Sequence, residues 1–263
     1  MQVQTATIVT GASHGLGAAV SRQLGCAGAA VALVSRSADD LQRSAAAVRE
    51  CGGACLALPA DVSDPDACRR VVEATVGHFG RLDAVVNNAG IVAPLEVVAR
   101  TAPAHWRRNV EVNLLGPVYI TMAALAALRS SHGRVVNVSS GAATRVIQAA
   151  SAYCASKAAL NQFTHVLATE EPDITAVAVR PGVVDTPMQA FLRREGPAKM
   201  PAAQAAYYQA LKTENRLEPP EVPARAIAWL ALKAPHWLSG RFLSYDDPRI
   251  AEPAAIFFKQ GLS

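Results

Sequence analysis

The segment TATIVTGASHGLGAAVSRQLG, residues 5–25, decides the fold class. A β-branched apolar run comes first and predicts a buried strand, and the Ala-containing run after the last motif glycine predicts a helix. Gly11, Gly15 and Gly17 lie between them, where glycine permits a tight turn and a close approach of the backbone to a phosphate. The amino terminus of the helix offers free N–H groups to the same anion. The spacing, G-x-x-x-G-x-G, differs from the commoner G-x-G-x-x-G, and taken alone these glycines can also be purely structural.

The alternation of strand and helix continues along the chain. Short apolar runs predict strands at 5–10, 29–35, 54–60, 82–88, 134–140, 174–180 and 241–247. Helical patterns lie at 15–25, 38–50, 65–79, 101–128 (with a break near Gly116-Pro117), 151–169 and 221–233. Because the strands are apolar almost throughout, we expect helices on both faces of a parallel sheet. The prediction is one doubly wound α/β Rossmann domain over residues 1–263, with residues 187–218 as a loop or helical flap near the ligand-binding edge.

Composition excludes several classes of protein. Of the 263 residues, 51% are hydrophobic and 17% are charged, which is too apolar for a disordered chain. The net charge of +4 comes from scattered basic residues, so a nucleic-acid-binding surface is not expected. The uncharged stretch 112–128 contains Gly116 and Pro117 and falls short of the ~20 apolar residues that span a membrane. The first residues lack the basic start and cleavage site of a secretory signal, so we predict a cytoplasmic protein without a membrane span.

The five cysteines favour the same compartment. An odd number of cysteines in a long chain is typical of free thiols in a reducing environment. Cys51 and Cys55 have the spacing of half a metal site, but no second cysteine pair or nearby histidine supplies the remaining ligands. We therefore expect free thiols and no bound metal.

Polar residues follow two of the predicted strands, at the edge where parallel sheets bind ligands. The run Asn87-Asn88-Ala89-Gly90 closes the fourth strand, and Ser139-Ser140 closes the fifth. Tyr153 lies thirteen residues after Ser140, and Lys157 follows four residues later on the same face of a predicted helix. Ser139 would point to the opposite side of the strand from Ser140, so we exclude it from the candidate site.

Together these motifs resemble the short-chain dehydrogenase/reductase family. The family's order is kept by TGxxxGxG (10–17), NNAG (87–90), Asn113, Ser140, Y-x-x-x-K (153–157) and Arg180-Pro181-Gly182. A single Y-x-x-x-K is a common coincidence, whereas the ordered set is specific, and the resemblance covers residues 3–188. It implies an oxidoreductase that moves a hydride between a nicotinamide cofactor and a carbonyl or alcohol.

Ketone reduction explains why these residue types are needed. Hydride addition builds negative charge on the carbonyl oxygen, so a proton donor must lie beside that oxygen. By resemblance Tyr153 is this acid, and because its ordinary pKa is too high for work near neutrality, the ammonium of Lys157 is expected to lower it. The resemblance also implies that Ser140 donates to the same oxygen, that Lys157 holds the nicotinamide ribose, and that Asn113 positions a water that relays protons to Lys157.

The cofactor we predict is NADP(H). Family members that use NAD usually carry an acidic residue after the second strand, where this chain has Ser35-Arg36-Ser37. Arg36 can form a forked pair with the 2′-phosphate, Ser35 or Ser37 can donate to it, and His14 can approach it. Besides Tyr153 and Lys157, the resemblance assigns further cofactor contacts to Gly11, Ser13, Gly15, Leu16, Gly17, Asp61, Val62, Asn88, Ala89, Gly90, Pro181, Gly182, Val183 and Thr186.

The substrate we predict is an uncharged, apolar ketone. By resemblance the pocket is walled by residues 91–95, 141–152 and 188–217, which are mainly apolar. We expect three aromatic residues, Phe191, Tyr207 and Tyr208, to cover the ligand, and Arg145, the one nearby charge, to be exposed. Apolar walls favour a ketone, because a sugar would leave its hydroxyl groups unpaired.

Local resemblances within the family narrow the expected activity. The stretch 183–189 is similar to carbonyl reductases of the sepiapterin or benzil reductase kind. The stretch 238–247 lacks the Gly-Gly pair of many 3-oxoacyl-carrier-protein reductases. The Ala-rich helix 151–169 resembles the family's subunit-contact helix, which implies a homodimer or homotetramer. The main prediction is therefore an NADPH-dependent reductase of ketones or aldehydes.

Three alternatives stay open. One is an NADP(H)-binding regulator or scaffold without turnover, although such a protein would not need Ser140, Tyr153 and Lys157 together. Another is a reductase of 3-oxoacyl thioesters. The third is a sugar-nucleotide epimerase or dehydratase, whose larger carboxyl-terminal substrate domain hardly fits into 263 residues.

Overall fold

The computed structural model describes residues 5–260, so residues 1–4 and 261–263 of the predicted domain lie outside it. One sheet contains seven strands, which are β1 (Ala6–Thr10), β2 (Ala30–Ser35), β3 (Cys55–Pro59), β4 (Ala84–Asn87), β5 (Arg134–Val138), β6 (Thr175–Arg180) and β7 (Phe242–Ser244). Every pairing is parallel, and the order is β3-β2-β1-β4-β5-β6-β7. The order reverses between β1 and β4, which opens a crevice at their carboxyl ends. The predicted doubly wound parallel sheet is confirmed.

Helices cover both faces of the sheet. In the described range they are α1 (Gly15–Cys26), α2 (Ala38–Glu50), α3 (Pro65–Phe79), α4 (Pro103–Val110), α5 (Gly116–Ser131), α6 (Ser151–Glu170), α7 (Pro187–Lys199), α8 (Ala202–Thr213), α9 (Glu221–Lys233) and α10 (Pro248–Gln260). Successive strand residues pack on opposite sides: Val9 lies in the core under α1 and α9, whereas Ile8 lies in the core under α3 and α5. This two-sided burial explains the almost continuous apolar runs of the sequence.

The predicted helix break near Gly116-Pro117 is wrong. A π-helical segment, Glu111–Leu115, joins α4 directly to α5. Pro117 falls in the first turn of α5, where the hydrogen-bonding pattern changes and a missing N–H is tolerated. Gly116 is required for packing, since an added Cβ would lie 2.9 Å from the side chain of Val62.

The joined helix Pro103–Ser131 also bears on the membrane prediction. It has 29 residues and contains an 18-residue window with a mean hydropathy of 1.5, so it is long and apolar enough to cross a membrane by length and composition. Core helices of water-soluble proteins meet the same criterion, and here Ile120, Ala124 and Leu128 are fully buried against the sheet. The expectation that no segment spans a membrane therefore stays a prediction.

The carboxyl-terminal third contains one helix that the sequence analysis did not predict. The segment 187–218, expected to be a loop or a helical flap, consists mainly of two helices, α7 and α8. The helix α10 was not predicted, because Pro253 lies inside it and interrupts the helical pattern. Ile250 and Ala254, four residues apart, are buried in the core beside α9, and this spacing was the signal that could have revealed the helix.

The prediction of five free thiols is wrong for one pair. Cys26 and Cys51, at the ends of α1 and α2, form a disulfide, and the other three cysteines are free. The two helix ends approach closely because Gly25 and Gly53 meet there: a Cβ added to Gly53 would lie 2.7 Å from the Gly25 Cα. The cysteines therefore give no support for a reducing compartment. Among residues 5–260, no group of three or more His, Cys, Asp or Glu side chains could hold a metal ion.

Candidate active site

The glycine turn between β1 and α1 has a shape that larger residues would not allow. Gly11 and Gly15 have φ values of 65° and 55°. A Cβ added to Gly17 would lie 2.2 Å from the carbonyl oxygen of Gly11, so the first turn of α1 packs directly on the loop. The N-cap residue, His14, makes no side-chain hydrogen bond to the helix. The first N–H groups of α1 are thus available to an anion.

The neighbouring loop after β4 is bonded to this turn through a residue that the sequence analysis did not single out. The hydroxyl oxygen of Thr10 accepts hydrogen bonds from the backbone N–H groups of Asn88 and Ala89, both at 3.0 Å. The side chain of Asn88 donates to the carbonyl oxygen of Thr10 at 2.9 Å. Gly11 must lack a Cβ, which would lie 2.8 Å from the Cα of Ala89. The two walls of the crevice are therefore fixed relative to each other.

The end of β2 forms the outer edge of the crevice. Arg36 is exposed, and no carboxylate of residues 5–260 lies within ion-pair distance of it. Ser37 caps α2, because its hydroxyl accepts from the backbone N–H of Asp40 at 3.4 Å. Ser35 donates to the carbonyl oxygen of Ser37 at 3.4 Å. The hydrogen bonds of Ser35 and Ser37 therefore hold the loop after β2, whereas the guanidinium of Arg36 has no ion-pair partner among the described residues.

Two further residues of the predicted cofactor set belong to the turn itself. Ser44 of α2 donates to the backbone carbonyl of Ser13 at 3.2 Å, which ties α2 to the glycine turn. Leu16 is buried beneath the turn, in the core under α1. In this structure Ser13 and Leu16 therefore support the loop.

Asp61 and Val62, the predicted adenine contacts, follow β3. The carboxylate of Asp61 accepts from the backbone and hydroxyl of Ser63 and forms an ion pair of 2.7 Å with Arg108. Burial tends to raise the pKa of Asp61, but the hydrogen bonds from Ser63 and Arg108 outweigh it and lower the pKa. Val62 is buried against Gly116 at the start of α5. The side chain of Asp61 is therefore engaged within the protein.

The segment after β6 closes the other end of the crevice. Gly182 has a φ of 77°, which favours glycine, and Pro181 and Val183 flank it. Thr186 faces the glycine turn: a Cβ added to Gly15 would lie 3.2 Å from its Cγ2 atom. The residues predicted for the pyrophosphate and for the nicotinamide therefore meet across the crevice.

Tyr153 and Lys157 project from α6 beside the end of β5. Both side chains are buried, with 8% and 4% exposure. The ammonium of Lys157 lies 5.9 Å from the centre of the Tyr153 ring and donates to the carbonyl oxygen of Val138 at 2.7 Å. Ser140 follows β5 and caps a short turn, with its hydroxyl accepting from Ala142. The structure thus places the predicted acid, cation and hydroxyl together.

The pKa values of the two titratable groups are set mainly by burial. Burial raises the pKa of Tyr153, and a hydrogen bond with Ser140 opposes this effect without cancelling it. Burial also lowers the pKa of Lys157 to about 8. Desolvation is thus the largest effect on the pKa of Tyr153 and raises it overall, and the expected lowering by Lys157 stays a prediction. Tyr153 consequently keeps its proton near neutral pH, as a proton donor must.

Asn113 lies in the π-helical segment and points toward the loop after β4. Its Oδ1 atom accepts from the N–H of Ile91 and its Nδ2 atom donates to the carbonyl of Ile91, both at 2.8 Å. A Cβ added to Gly90 would lie 3.2 Å from Oδ1 of Asn113 and 3.7 Å from Nζ of Lys157. The amide of Asn113 is therefore engaged by the protein. Such π segments often occur at functional sites.

An apolar cluster surrounds Tyr153 and includes the helices of the flap. Its buried members are Val92, Leu95, Ala142, Ala149, Ala150, Tyr153, Leu192, Met200, Tyr208 and Leu211. Phe191 packs on this cluster, whereas Tyr207 is 45% exposed and lies outside it. Arg145 is exposed, as expected for a loop charge. Lys199 at the end of α7 pairs with Glu96 at 2.7 Å and holds the flap to the opposite wall.

Comparison with known proteins settles the family. The sequence model of the family described as short chain dehydrogenase matches residues 5–196. The chain belongs to this family. It is similar to benzil reductase ((S)-benzoin forming) of Saccharomyces cerevisiae, with 39% identity over 201 residues, which covers 72% of this chain and 76% of the relative.

Two solved structures resemble this short-chain dehydrogenase over most of its length. A short chain dehydrogenase/reductase of Saccharomyces cerevisiae has a TM-score of 0.90 and 34% identity, over 94% of this chain and 98% of the other. The KRED1-Pglu enzyme has a TM-score of 0.87 and 41% identity, over 91% of this chain and 100% of the other. The resemblance to the benzil reductase kind, found first in the motifs, is confirmed.

Sequence reasoning missed three polar residues that support the site of this short-chain dehydrogenase. Thr10, Asn109 and Ser156 are buried, with 2%, 0% and 1% exposure. Thr10 lies inside the motif TGxxxGxG and Ser156 inside Y-x-x-x-K. Their polar character within buried segments was the available signal. Asn109 lies in no motif, and its four-residue spacing from Asn113 within the predicted helix 101–128 was the available signal.

Proposed function

We propose that this short-chain dehydrogenase is an NADPH-dependent reductase that converts apolar ketones or aldehydes to alcohols. The observation that carries the proposal is the buried hydroxyl of Tyr153 beside Ser140 and Lys157, beneath an apolar cover. A buried phenol that keeps its proton is suited to protonating an oxygen on which negative charge develops.

The crevice fits a nicotinamide dinucleotide. In the glycine turn, backbone atoms occupy the space that a Cβ of Gly11 or Gly17 would need, and the helix that follows has no side-chain cap. Such a turn suits a pyrophosphate. Arg36 would pair with a 2′-phosphate, Lys157 would hold the nicotinamide ribose, and Thr186 would bind the carboxamide. When bound, the cofactor supplies the hydride.

The chain's own residues handle the proton. Ser140 would donate a hydrogen bond to the substrate oxygen, and Tyr153 would transfer its proton to that oxygen as charge develops. The ammonium of Lys157 would stabilise the resulting tyrosinate, which lies close to it in the buried site. Lys157 would then return a proton to the tyrosinate and regain one through a water that Asn113 positions.

The experiment that tests the proposal is a substrate panel measured with NADPH. We expect higher kcat/KM for aromatic or medium-chain ketones and diketones than for sugars or short keto acids. Each buried CH₂ group contributes about 0.8 kcal/mol, whereas each unpaired sugar hydroxyl costs about 1–3 kcal/mol. Sugars or keto acids that exceed aryl ketones by tenfold would contradict the substrate class. A protein that binds NADPH but turns over no carbonyl compound would support the regulator or scaffold.

Tyr208 is the member of the flap best placed to contact a substrate. It is 7% exposed within the cluster around Tyr153, and burial together with the neighbouring Tyr207 and Tyr153 raises its pKa to about 12. We expect Tyr208→Phe to lower kcat/KM for a diketone about two- to tenfold, mainly through KM, because the second carbonyl loses a hydrogen bond. Tyr207→Phe is the matched control, since Tyr207 is exposed. Equal effects of the two substitutions would exclude Tyr208 from substrate binding.

We also propose a cytoplasmic homo-oligomer. Two apolar side chains are exposed on neighbouring helices, Met122 on α5 at 64% and Val166 on α6 at 41%. Exposed apolar side chains can mark a contact surface, and α6 is the helix that the family resemblance assigns to subunit contact. Sedimentation of the purified protein tests the assembly. A monomer at micromolar concentration would contradict it.

A further inference from the structure

Asn109 connects parts of the candidate site that no sequence motif connects. It lies in the last turn of α4 and is fully buried, with 0% exposure. Its Nδ2 atom donates to the backbone carbonyls of Ile91 at 3.1 Å and Ala93 at 2.7 Å. Its Oδ1 atom accepts from Nδ2 of Asn113 at 2.8 Å and from the hydroxyl of Ser156 at 3.0 Å.

These four hydrogen bonds use the full capacity of an amide side chain, which has two N–H donors and two lone pairs on its oxygen. The two carbonyls determine which end of Asn109 is nitrogen, since a flipped amide would turn its oxygen toward them. The oxygen of Asn109 then requires a donor from Asn113. The orientation of the Asn113 amide is therefore fixed from two sides, by the oxygen of Asn109 and by the N–H and carbonyl of Ile91.

We propose that Asn109 is a positioning residue for carbonyl reduction, an inference that rests on the function proposed above. It acts on one side through Asn113, whose π-helical segment it holds against the loop after β4. On the other side it acts through Ser156, which precedes Lys157 and whose hydroxyl also lies 3.0 Å from the carbonyl oxygen of Tyr153. The relay residue and the acid–cation pair thus share one buried anchor.

Two substitutions separate the anchor's chemistry from its volume. Asn109→Leu fills a similar space but removes all four hydrogen bonds. Asn109→Asp keeps an oxygen that accepts from Asn113 and Ser156, but it can donate to only one of the two carbonyls, and only when it is protonated. Burial and the two facing carbonyl oxygens raise the pKa of such a carboxyl group. The aspartate variant therefore resembles the wild type at low pH and loses its anchor as the pH rises.

The first test measures the pH dependence of kcat for ketone reduction with NADPH. We expect Asn109→Leu to lower kcat about tenfold to a hundredfold at every pH, as small displacements of catalytic groups do. For Asn109→Asp, the ratio of kcat to the wild-type value should fall as the pH rises. In both variants the Kd for NADPH should stay within twofold. The matched control is Asn161→Leu on α6, whose side-chain oxygen has no partner in the described structure and whose loss should leave the profile unchanged.

The second test is independent of activity. Hydrogen exchange of the Ile91 amide, which donates to Asn113, should be at least tenfold faster in unliganded Asn109→Leu than in the wild type. In Asn109→Asp, exchange of the Ile91 amide should be faster than in the wild type only at high pH. This test compares one folded variant at two pH values, so it holds even if the leucine variant does not fold. If wild type reduces no carbonyl compound, the proposed function fails while the exchange result still stands. Unchanged exchange at Ile91, or a kcat ratio for Asn109→Asp that does not vary with pH, would overturn the positioning role.

Discussion

Tyr153→Phe should leave the protein folded and able to bind NADPH while lowering turnover by about 10²–10⁴-fold, the usual contribution of general acid catalysis. The ring of Tyr153 packs with Leu192 and Tyr208 in the apolar cluster, and phenylalanine keeps this packing. Only the hydroxyl is lost. The measurement is kcat for an aryl ketone, with the Kd for NADPH and the melting temperature as controls.

The pH profile distinguishes loss of the acid from a general disturbance of the site. Lys157 has a pKa of about 8, so above this pH its ammonium, which stabilises the tyrosinate, is lost and wild-type reduction should slow. The residual activity of Tyr153→Phe should lack this alkaline decline, because no tyrosinate forms. If Tyr153→Phe keeps more than a tenth of the wild-type kcat, or shows the same alkaline decline, Tyr153 is not the acid.

The sheet and the candidate site were predictable because both depend on local sequence. Seven apolar runs specify strands buried on both faces, and the motif residues follow those strands at the crevice. What the sequence does not specify is the rotation of each helix. Tyr207 and Tyr208 were both expected to cover the substrate, yet adjacent residues on α8 point in different directions, and only Tyr208 is buried.

The errors of the sequence analysis come from packing between distant segments. Gly116 and Pro117 predict a break, but the π-helical segment and the contact with Val62 allow the helix to continue. Cys26 and Cys51 are 25 residues apart, and their pairing depends on how closely glycines let α1 and α2 approach. Periodicity along one segment contains no information about such contacts.

Arg36→Asp should reverse the preference for the phosphorylated cofactor. In the wild type we expect NADPH to be favoured over NADH by about 1.5–3 kcal/mol, the contribution of a hydrogen bond to a charged group, which is roughly tenfold to a hundredfold. Arg36 is available for this role, because no carboxylate of residues 5–260 pairs with it and the nearby Asp40 is bonded to Arg43. The aspartate removes the attraction, adds repulsion toward the 2′-phosphate, and can accept from the ribose hydroxyls of NADH.

The measurement is the ratio of kcat/KM for the two cofactors at a fixed ketone concentration. Arg22→Asp is the matched control, since Arg22 is exposed on α1 and its substitution makes the same change in net charge away from the end of β2. It should leave the ratio unchanged. Because Arg36 is exposed, salt should screen its attraction and narrow the wild-type preference as ionic strength rises. A wild-type protein that uses NADH as well as NADPH, or a preference that survives in Arg36→Asp, would mean that another group selects the cofactor.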